Sequence, residues 1–310
     1  MTSVGLVLPQ LGPVVDMHVI KDVAQAAEDM GFAHLWVQDH FMYALEQGGE
    51  YGGSAAAQPE VYQSVYAPLE MMSAVAAWTE SIGIGSSVLV AGNHWPVQLA
   101  NELATIDQLS EGRLTAIGLG VGWSHEEHRA VGVDPRTRGR RIDEFVEVLK
   151  KCWVDDPVEH HGEFFDVPLS IVRPKPFQKP HPRLMSGMWS EKGLRRTALH
   201  YDLWNPGSMP ITQAADTLAE MNAVRPAHLE PLNVIYRAAL QSTAGKLLTV
   251  EEIAERTVES AKEGFEAVIV EANFCSDITS RQDWLAKVAG LQPVLEAARA
   301  VGRAHPKPCR

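Results

Sequence analysis

The 310-residue chain carries only three cysteines, Cys152, Cys275 and Cys309. They are odd in number and far apart, which excludes a disulfide framework and any metal motif built on paired cysteines. Positive charge is also scarce, with 27 Lys and Arg against 39 Asp and Glu and a formal net charge of -12. Such a surface repels phosphate backbones and anionic lipid, so nucleic acid and membranes are excluded as partners. Small molecules and other copies of the chain remain. No long apolar run is present: the longest, around Ser73 to Val90, is broken by Thr79, Glu80 and several glycines, short of the roughly 20 apolar residues of a membrane helix. The opening MTSVGLVLPQLG shows neither the basic stretch nor the cleavage site of a secretory signal, and a cytoplasmic protein is expected. No repeat of solenoid period and no low-complexity tract is found.

What is there is a sizeable supply of core residues, 45% hydrophobic against 21% charged, arranged as short apolar runs alternating with amphipathic stretches. That alternation marks βα units around a parallel sheet. Strands are expected near 4–10, 34–39, 82–90, 114–120, 183–188, 201–206, 232–240 and 265–273. Segments such as DMHVIKDVAQAAEDMG, PVQLANELATIDQLSEG, RRIDEFVEVLKKCW, EKGLRRTALH and TVEEIAERTVESAKEG space their apolar residues three and four apart, as helices do. Gly31, Gly112 and Gly264 supply stop signals. Eight such pairs, with LPQLGP rather than a Gly-rich phosphate turn after the first strand, predict one (β/α)₈ TIM barrel over residues 1–310 and not a doubly wound open sheet. Two long connections interrupt it. Residues 41–67 follow strand 2 on the catalytic face and form a lid candidate, while the proline-rich 153–182 precedes strand 5 and begins on the opposite face.

In a closed barrel the strand C-termini open onto one mouth, so polar residues there are the candidates for chemistry. Strand 2 ends in Asp39-His40: a carboxylate that accepts hydrogen bonds from a ligand ring, and an imidazole that exchanges protons near neutral pH. The same pair would equally cap a helix or anchor a loop. Strand 4 runs into GLGVGW (118–123), whose glycines let backbone approach a flat or phosphorylated ligand. Trp123 stands where a dinucleotide fingerprint needs its third glycine, so that reading is excluded. In SHEEHRAVG, His125 and His128 are three apart instead of four, against a zincin site. A solvated helix start, capped by Ser124 with Glu126 and Glu127 in the first turn, accounts for the charges there. Strand 5 ends in RLMSGMWSEKGLRR, a small-residue turn opening into a helix. Free N–H groups and the helix dipole make Ser186, Gly187, Met188, Trp189 and Ser190 an anion cradle. Arg195 and Arg196 would either add charge for a long anionic tail or form a solvated face.

Taken in order, HLWVQDHF (34–41), SSVLV (86–90), LATIDQLSEGRLTAIGLGVGW (103–123), GVDPRTRGRRIDEFVEVLKKCW (132–153) and PKPFQKPHPRLMSGMWSEKGLRRTA (174–198) resemble the luciferase-like family of flavin- and coenzyme F420-dependent oxidoreductases. The resemblance covers nearly the whole chain. It implies a TIM barrel with the cofactor across the C-terminal mouth and substrates entering over its face. By position, Asp39 resembles the residue contacting the cofactor ring, and His40 the histidine that several F420-using members place by the reacting carbon. Ser87-Val88 resembles the site of a non-prolyl cis peptide behind the ring. Gly120, Gly122 and Trp123 match the loop beside the ring, and Ser186, Gly187 and Met188 the phosphate-binding turn. Trp123 departs from the sugar-phosphate dehydrogenase branch, which has an acidic residue there, and SGM replaces the GG of many relatives.

The resemblance implies hydride transfer between coenzyme F420 and a small organic substrate, with Asp39 and His40 facing the ring. F420 suits the DHF after strand 2 and the arginine-bearing helix after the phosphate turn. The alternative within the family is an FMN-dependent monooxygenase supplied by a partner flavin reductase. Two further readings stand beside these: a metal-dependent barrel hydrolase using His40, His94, His125 and the acidic residues, opposed by a first strand without histidines, and a catalytically silent cofactor-binding or storage protein. A homodimer is expected, as in many such families.

Overall fold

The chain's helices begin and end where its capping chemistry says they should. Asp16 accepts the amides of His18 and Val19 at 2.8 and 2.9 Å to open the first helix, and Gly31, at φ 85°, closes it in the left-handed conformation that glycine adopts freely. Thr249 and Glu252 form a reciprocal capping box at the helix before the last strand. A computed structural model describes residues 2–46, 51, 58–242 and 245–304. Part of the expected lid, 47–50 and 52–57, and Cys309 lie outside the described residues.

In chain order the elements are β1 (Ser3–Val7), α1 (Met17–Met30), β2 (His34–Val37), α2 (Pro68–Trp78), β3 (Gly83–Val90), α3 (Pro96–Leu109), β4 (Leu114–Gly120), α4 (His125–Ala130) and α5 (Arg138–Val154). There follow β5 (Val158–His161), β6 (Asp166–Ser170), β7 (Leu184–Ser186), α6 (Glu191–His200), β8 (Leu203–Trp204), α7 (Ile211–Val224), β9 (Asn233–Ala239), α8 (Val250–Lys262), β10 (Ala267–Glu271), α9 (Arg281–Gly290) and α10 (Gln292–Ala304). Strands β1, β2, β3, β4, β7, β8, β9 and β10 close into a parallel barrel, β10 pairing back onto β1. This is the (β/α)₈ TIM barrel that the alternating pattern predicts. No helix among the described residues is long and apolar enough to cross a membrane.

The 153–182 connection is more ordered than its prolines imply. Its β5 and β6 form an antiparallel hairpin outside the barrel. The carboxylate of Glu144 on α5 holds it by accepting the amides of Phe164 and Phe165, at 3.0 and 2.8 Å, and His160 Nε2 at 3.2 Å. Phe165 then packs edge-on against Trp95, just before α3. The insertion therefore starts at the bottom of the barrel, but its tip climbs to the rim of the mouth.

Strand alternation decides what each residue can reach. Leu35 and Val37 of β2 join the core between barrel and helices. Trp36 faces inward, packed with Val7, Ala116, Met185, Leu203, Ile235, Ala267 and Ile269 as an apolar plug. Two residues further along each chain, the same inward face presents Gln38, Gly118, Gly187, Asn205, Arg237 and Glu271. The interior thus changes, within one layer of side chains, from hydrocarbon to polar groups and glycine. That change is the floor of the mouth.

Candidate active site at the barrel mouth

Asp39 and His40 diverge by the same alternation. Asp39 continues the outer parity of Leu35 and Val37. Its Oδ2 accepts the Val90 amide at 2.8 Å and meets His94 Nε2 at 2.8 Å, tying the end of β2 to the end of β3. His40 continues the inward parity of Trp36 and Gln38. Its Nδ1 lies 3.0 Å from Glu127 Oε2, and Glu127 Oε1 also accepts the Phe41 amide at 3.0 Å. Donation from Nδ1 to the carboxylate sets the tautomer in which Nε2 carries the ring's free lone pair. The helix start is capped by Ser124 as expected, its hydroxyl accepting the Glu127 amide at 3.2 Å. The expected solvation fails, however: Glu126 and Glu127 are buried, Glu127 at 1% exposure. Glu127, on the short six-residue α4, is held against His40 instead.

Around His40 stands an aromatic rim. Tyr62 meets its ring edge-on at 4.9 Å between centroids, and Trp123 lies at 5.3 Å. Tyr51, from the segment after β2, packs edge-on to Trp123 at 5.3 Å and to Tyr62 at 6.0 Å, while Phe274 backs Tyr62 at 5.7 Å. Burial raises the phenol pKa of Tyr51, and that of Tyr62 well above the usual tyrosine range, so both present neutral hydroxyls.

The Ser87–Val88 peptide is cis. Val88 is half-buried and seated among glycines: a Cβ on Gly118, Gly120 or Gly187 would stand 2.9 Å from a Val88 methyl. Glycine at 120 and 187 makes room for this valine, which becomes the aliphatic surface of the floor, while at 118 a Cβ would collide first with the Ser86 carbonyl. Gly122 answers a different need. Its φ of 74° and the nearness of Val90 and His128 bar a side chain.

At the turn after β7, the Gly187 amide goes to the Leu119 carbonyl at 3.0 Å, and the Met188 amide to the Ser186 hydroxyl at 3.2 Å. Ser186 also receives the Thr197 hydroxyl at 2.7 Å, and Trp189 Nε1 donates to the Asn205 carbonyl at 3.3 Å. With two of the expected donors used internally and the Gly193 amide taken by the Ser190 hydroxyl at 3.2 Å, the amides from Trp189 to Lys192 at the start of α6 are those left to an anion. Arg195 pairs with Glu191 at 2.8 Å and Arg196 with Asp143 at 2.7 Å, so neither holds uncompensated charge toward the mouth.

Arg237 and Glu271 are site residues that motif reading passed over. They form a buried ion pair on neighbouring strands β9 and β10. Burial pulls the Arg237 pKa down, but Glu271 more than offsets this and raises it, so the guanidinium stays charged. Arg237 Nη1 donates to the Ser87 carbonyl at 2.8 Å, holding the bend of β3. Each lies singly within an apolar run, LNVIYRAAL and FEAVIVEAN, in step with inward-facing Ile235 and Ile269. That parity was the available signal.

The three histidines considered for a metal site go to separate partners: His40 to Glu127, His94 to Asp39, and His125 to Arg138 at 3.4 Å. Among the described residues no group of three His, Cys, Asp or Glu is placed to hold a metal. Cys152 and Cys275 are buried thiols, burial pushing the latter up to about 12, far from the nucleophilic range. A planar ring with a polar edge does fit. Val88 offers a smooth aliphatic face flanked by glycines, and the buried Ser87 Oγ beside it has no hydrogen-bond partner among the described residues.

Fold and site together define an α/β barrel whose mouth holds a buried His40–Glu127 pair beside a flat aliphatic floor. Residues 4–303 match the family model described as luciferase-like monooxygenase, and the chain belongs to that family. It is 30% identical over 202 residues to an uncharacterised protein of Mycobacterium tuberculosis, covering 64% of this chain and 71% of that one. It is 31% identical over 192 residues to an FMNH2-dependent dimethylsulfone monooxygenase of Pseudomonas putida, covering 61% and 48%. An F420-dependent secondary alcohol dehydrogenase, solved with an F420-acetone adduct, has the same fold: TM-score 0.76 at 15% identity, covering 96% of this chain and all of that one.

Proposed function

We propose that this chain is an oxidoreductase moving a hydride between coenzyme F420 and a small organic substrate, with His40 handling the accompanying proton. The observation that carries this reading is the buried His40–Glu127 pair on the inward face of the mouth, beside the Val88 floor. When bound, a deazaflavin supplies a carbon that donates or accepts hydride. The residues here supply the rest. Val88 and Ser87 support the ring, and the first-turn amides of α6 receive the phosphate. His40 Nε2 takes the hydroxyl proton of an alcohol, or returns it to a carbonyl oxygen, while Glu127 holds the ring in place and stabilises its protonated form. Tyr62 and Trp123 wall the imidazole from bulk water.

A second reading, oxygenation with reduced FMN delivered by a partner reductase, is favoured by two observations. One is the similarity to the FMNH2-dependent monooxygenase of Pseudomonas putida. The other is the pairing of Arg195 and Arg196, which removes the spare positive charge an extended anionic tail calls for. Titrating the purified chain with F420 and with FMN, read by cofactor fluorescence and absorbance, separates the two. F420 is expected to bind more tightly. Tight FMN binding with no response to F420 overturns the first reading in favour of the second.

A further inference from the structure

The backbone rungs between β1 and β2 run up to the Leu8 amide, which donates to the Trp36 carbonyl at 2.8 Å. Beyond it, in the turn LPQLGP, the side chain of Gln10 takes over. Its Oε1 accepts the Gln38 amide at 2.8 Å, and its Nε2 donates to the Gln38 carbonyl at 2.6 Å. A carboxamide carries the same acceptor and N–H donors as a peptide group, so it pairs with both backbone groups of Gln38 as a neighbouring strand would. Glutamate would offer only acceptors there, and methionine neither donor nor strong acceptor. Gln38 lies two residues before His40, so this pairing fixes the backbone from which the imidazole leaves.

The same carboxamide also reaches the other wall of the mouth. Its Nε2 donates to the Tyr66 carbonyl at 2.6 Å, while the backbone carbonyl of Gln10 accepts the Tyr66 amide at 3.1 Å. Two residues on, the Gly12 amide donates to the Ser64 carbonyl at 2.9 Å. These bonds pin the end of the 41–67 segment just after the 3₁₀ turn Glu60–Gln63, which carries Tyr62, the ring in edge contact with His40. Gln10 is itself held from β10. Its amide and that of Leu11 donate to Asn273 Oδ1 at 2.9 and 3.2 Å, and Asn273 Nδ2 donates to the Leu8 carbonyl at 3.0 Å. Gln10 has no exposed surface, so it acts on the mouth through the backbone it holds and not by meeting a ligand.

We propose that Gln10 is a positioning residue of the mouth, setting from β1 both the exit of His40 from β2 and the seat of Tyr62 against it. This rests on the reading above that His40 handles the proton. The test is nuclear magnetic resonance of the full chain, free of cofactor and substrate, comparing the wild type with Gln10→Met and Gln10→Glu. The ring-nitrogen resonances of His40, identified by their loss in His40→Ala, should shift or broaden in both variants. In Gln10→Met the amides of Gln38 and Tyr66 should exchange with solvent at least about tenfold faster, while those of β9 and β10 keep their protection. Asn222 is the control, because it pairs with both backbone groups of Leu232 in the same manner, at 2.8 and 3.2 Å, at the opposite end of the barrel. Asn222→Leu should lower the thermal melt without moving either signal. Unmoved His40 resonances in a folded Gln10 variant, or the same changes in Asn222→Leu, overturn the assignment and leave Gln10 a packing residue. So does failure of both Gln10 variants to fold. With no ligand present, the outcome is independent of the cofactor titration: a chain that takes up neither F420 nor FMN defeats the functional reading and leaves the positioning of His40 standing.

Discussion

His34 and His40 stand six residues apart on the inward side of one strand and its extension, and their surroundings give them opposite characters. His34, at the barrel bottom, accepts from Trp36 Nε1 at 3.3 Å through Nδ1 and faces the Ser3 hydroxyl at 2.9 Å through Nε2. Burial holds its pKa down to about 4, so it is a neutral part of the packing. His40 shares its pair with a carboxylate. One end of the barrel uses imidazole as a shaped, hydrogen-bonded wedge; the other keeps it beside a group that stabilises its charge. The difference lies in the partners, one layer of side chains apart, and not in the residue.

The comparison is broken most severely at the mouth. Replacing His40 by Ala should lower kcat by about 10²- to 10⁴-fold, the usual contribution of a positioned acid or base. Cofactor affinity should stay within about threefold, since the floor under the ring is untouched. Equal loss of both would make His40 a structural contact. At the bottom the expected effect is on folding. The unfolded chain protonates His34 near 6.5 and the folded one only near 4. The stability tied to its neutral form is therefore complete above about 6.5 and lost as pH falls toward 4, by about 3 kcal/mol in all. Urea unfolding of wild type and His34→Gln across that range checks it: the variant should lack this part of the slope, and parallel curves would show that His34 is not the group responsible. The smallest effect sharpens the contrast. Glu127→Gln preserves an acceptor but removes the charge, and should lower kcat roughly 10- to 100-fold, as for a lost charge-assisted hydrogen bond. Cofactor affinity and the thermal melt should stay as in the wild type. An unchanged kcat would leave Glu127 as an anchor for the Phe41 amide alone.

The barrel was legible because eight apolar runs and their helices repeat with clear periods and caps, which are local properties. The hairpin at 158–170 was not: VEHH and DVPLS pair only with each other, outside the barrel, and leave one face exposed. Asp39 and His40 were legible as residues at the end of strand 2, but their separate directions needed the parity fixed by Trp36. Glu127 was misread because two acids behind a Ser cap fit a solvated helix start, and its contacts with His40 and the Phe41 amide, more than 80 residues away in sequence, are not visible there. Arg237 and Glu271 depend on a pairing between neighbouring strands that no motif spells out.

Val88 and the three glycines around it also have a bearing on how such a barrel can change over generations. A methyl group at 118, 120 or 187 cannot be accepted while the valine stands where it does. A smaller residue at 88 would leave three notches with nothing in them. The four positions come from three strands and fit as a key and its wards, so a change at one limits what the others can accept. A barrel lacking the glycines could not borrow this floor by acquiring the valine alone.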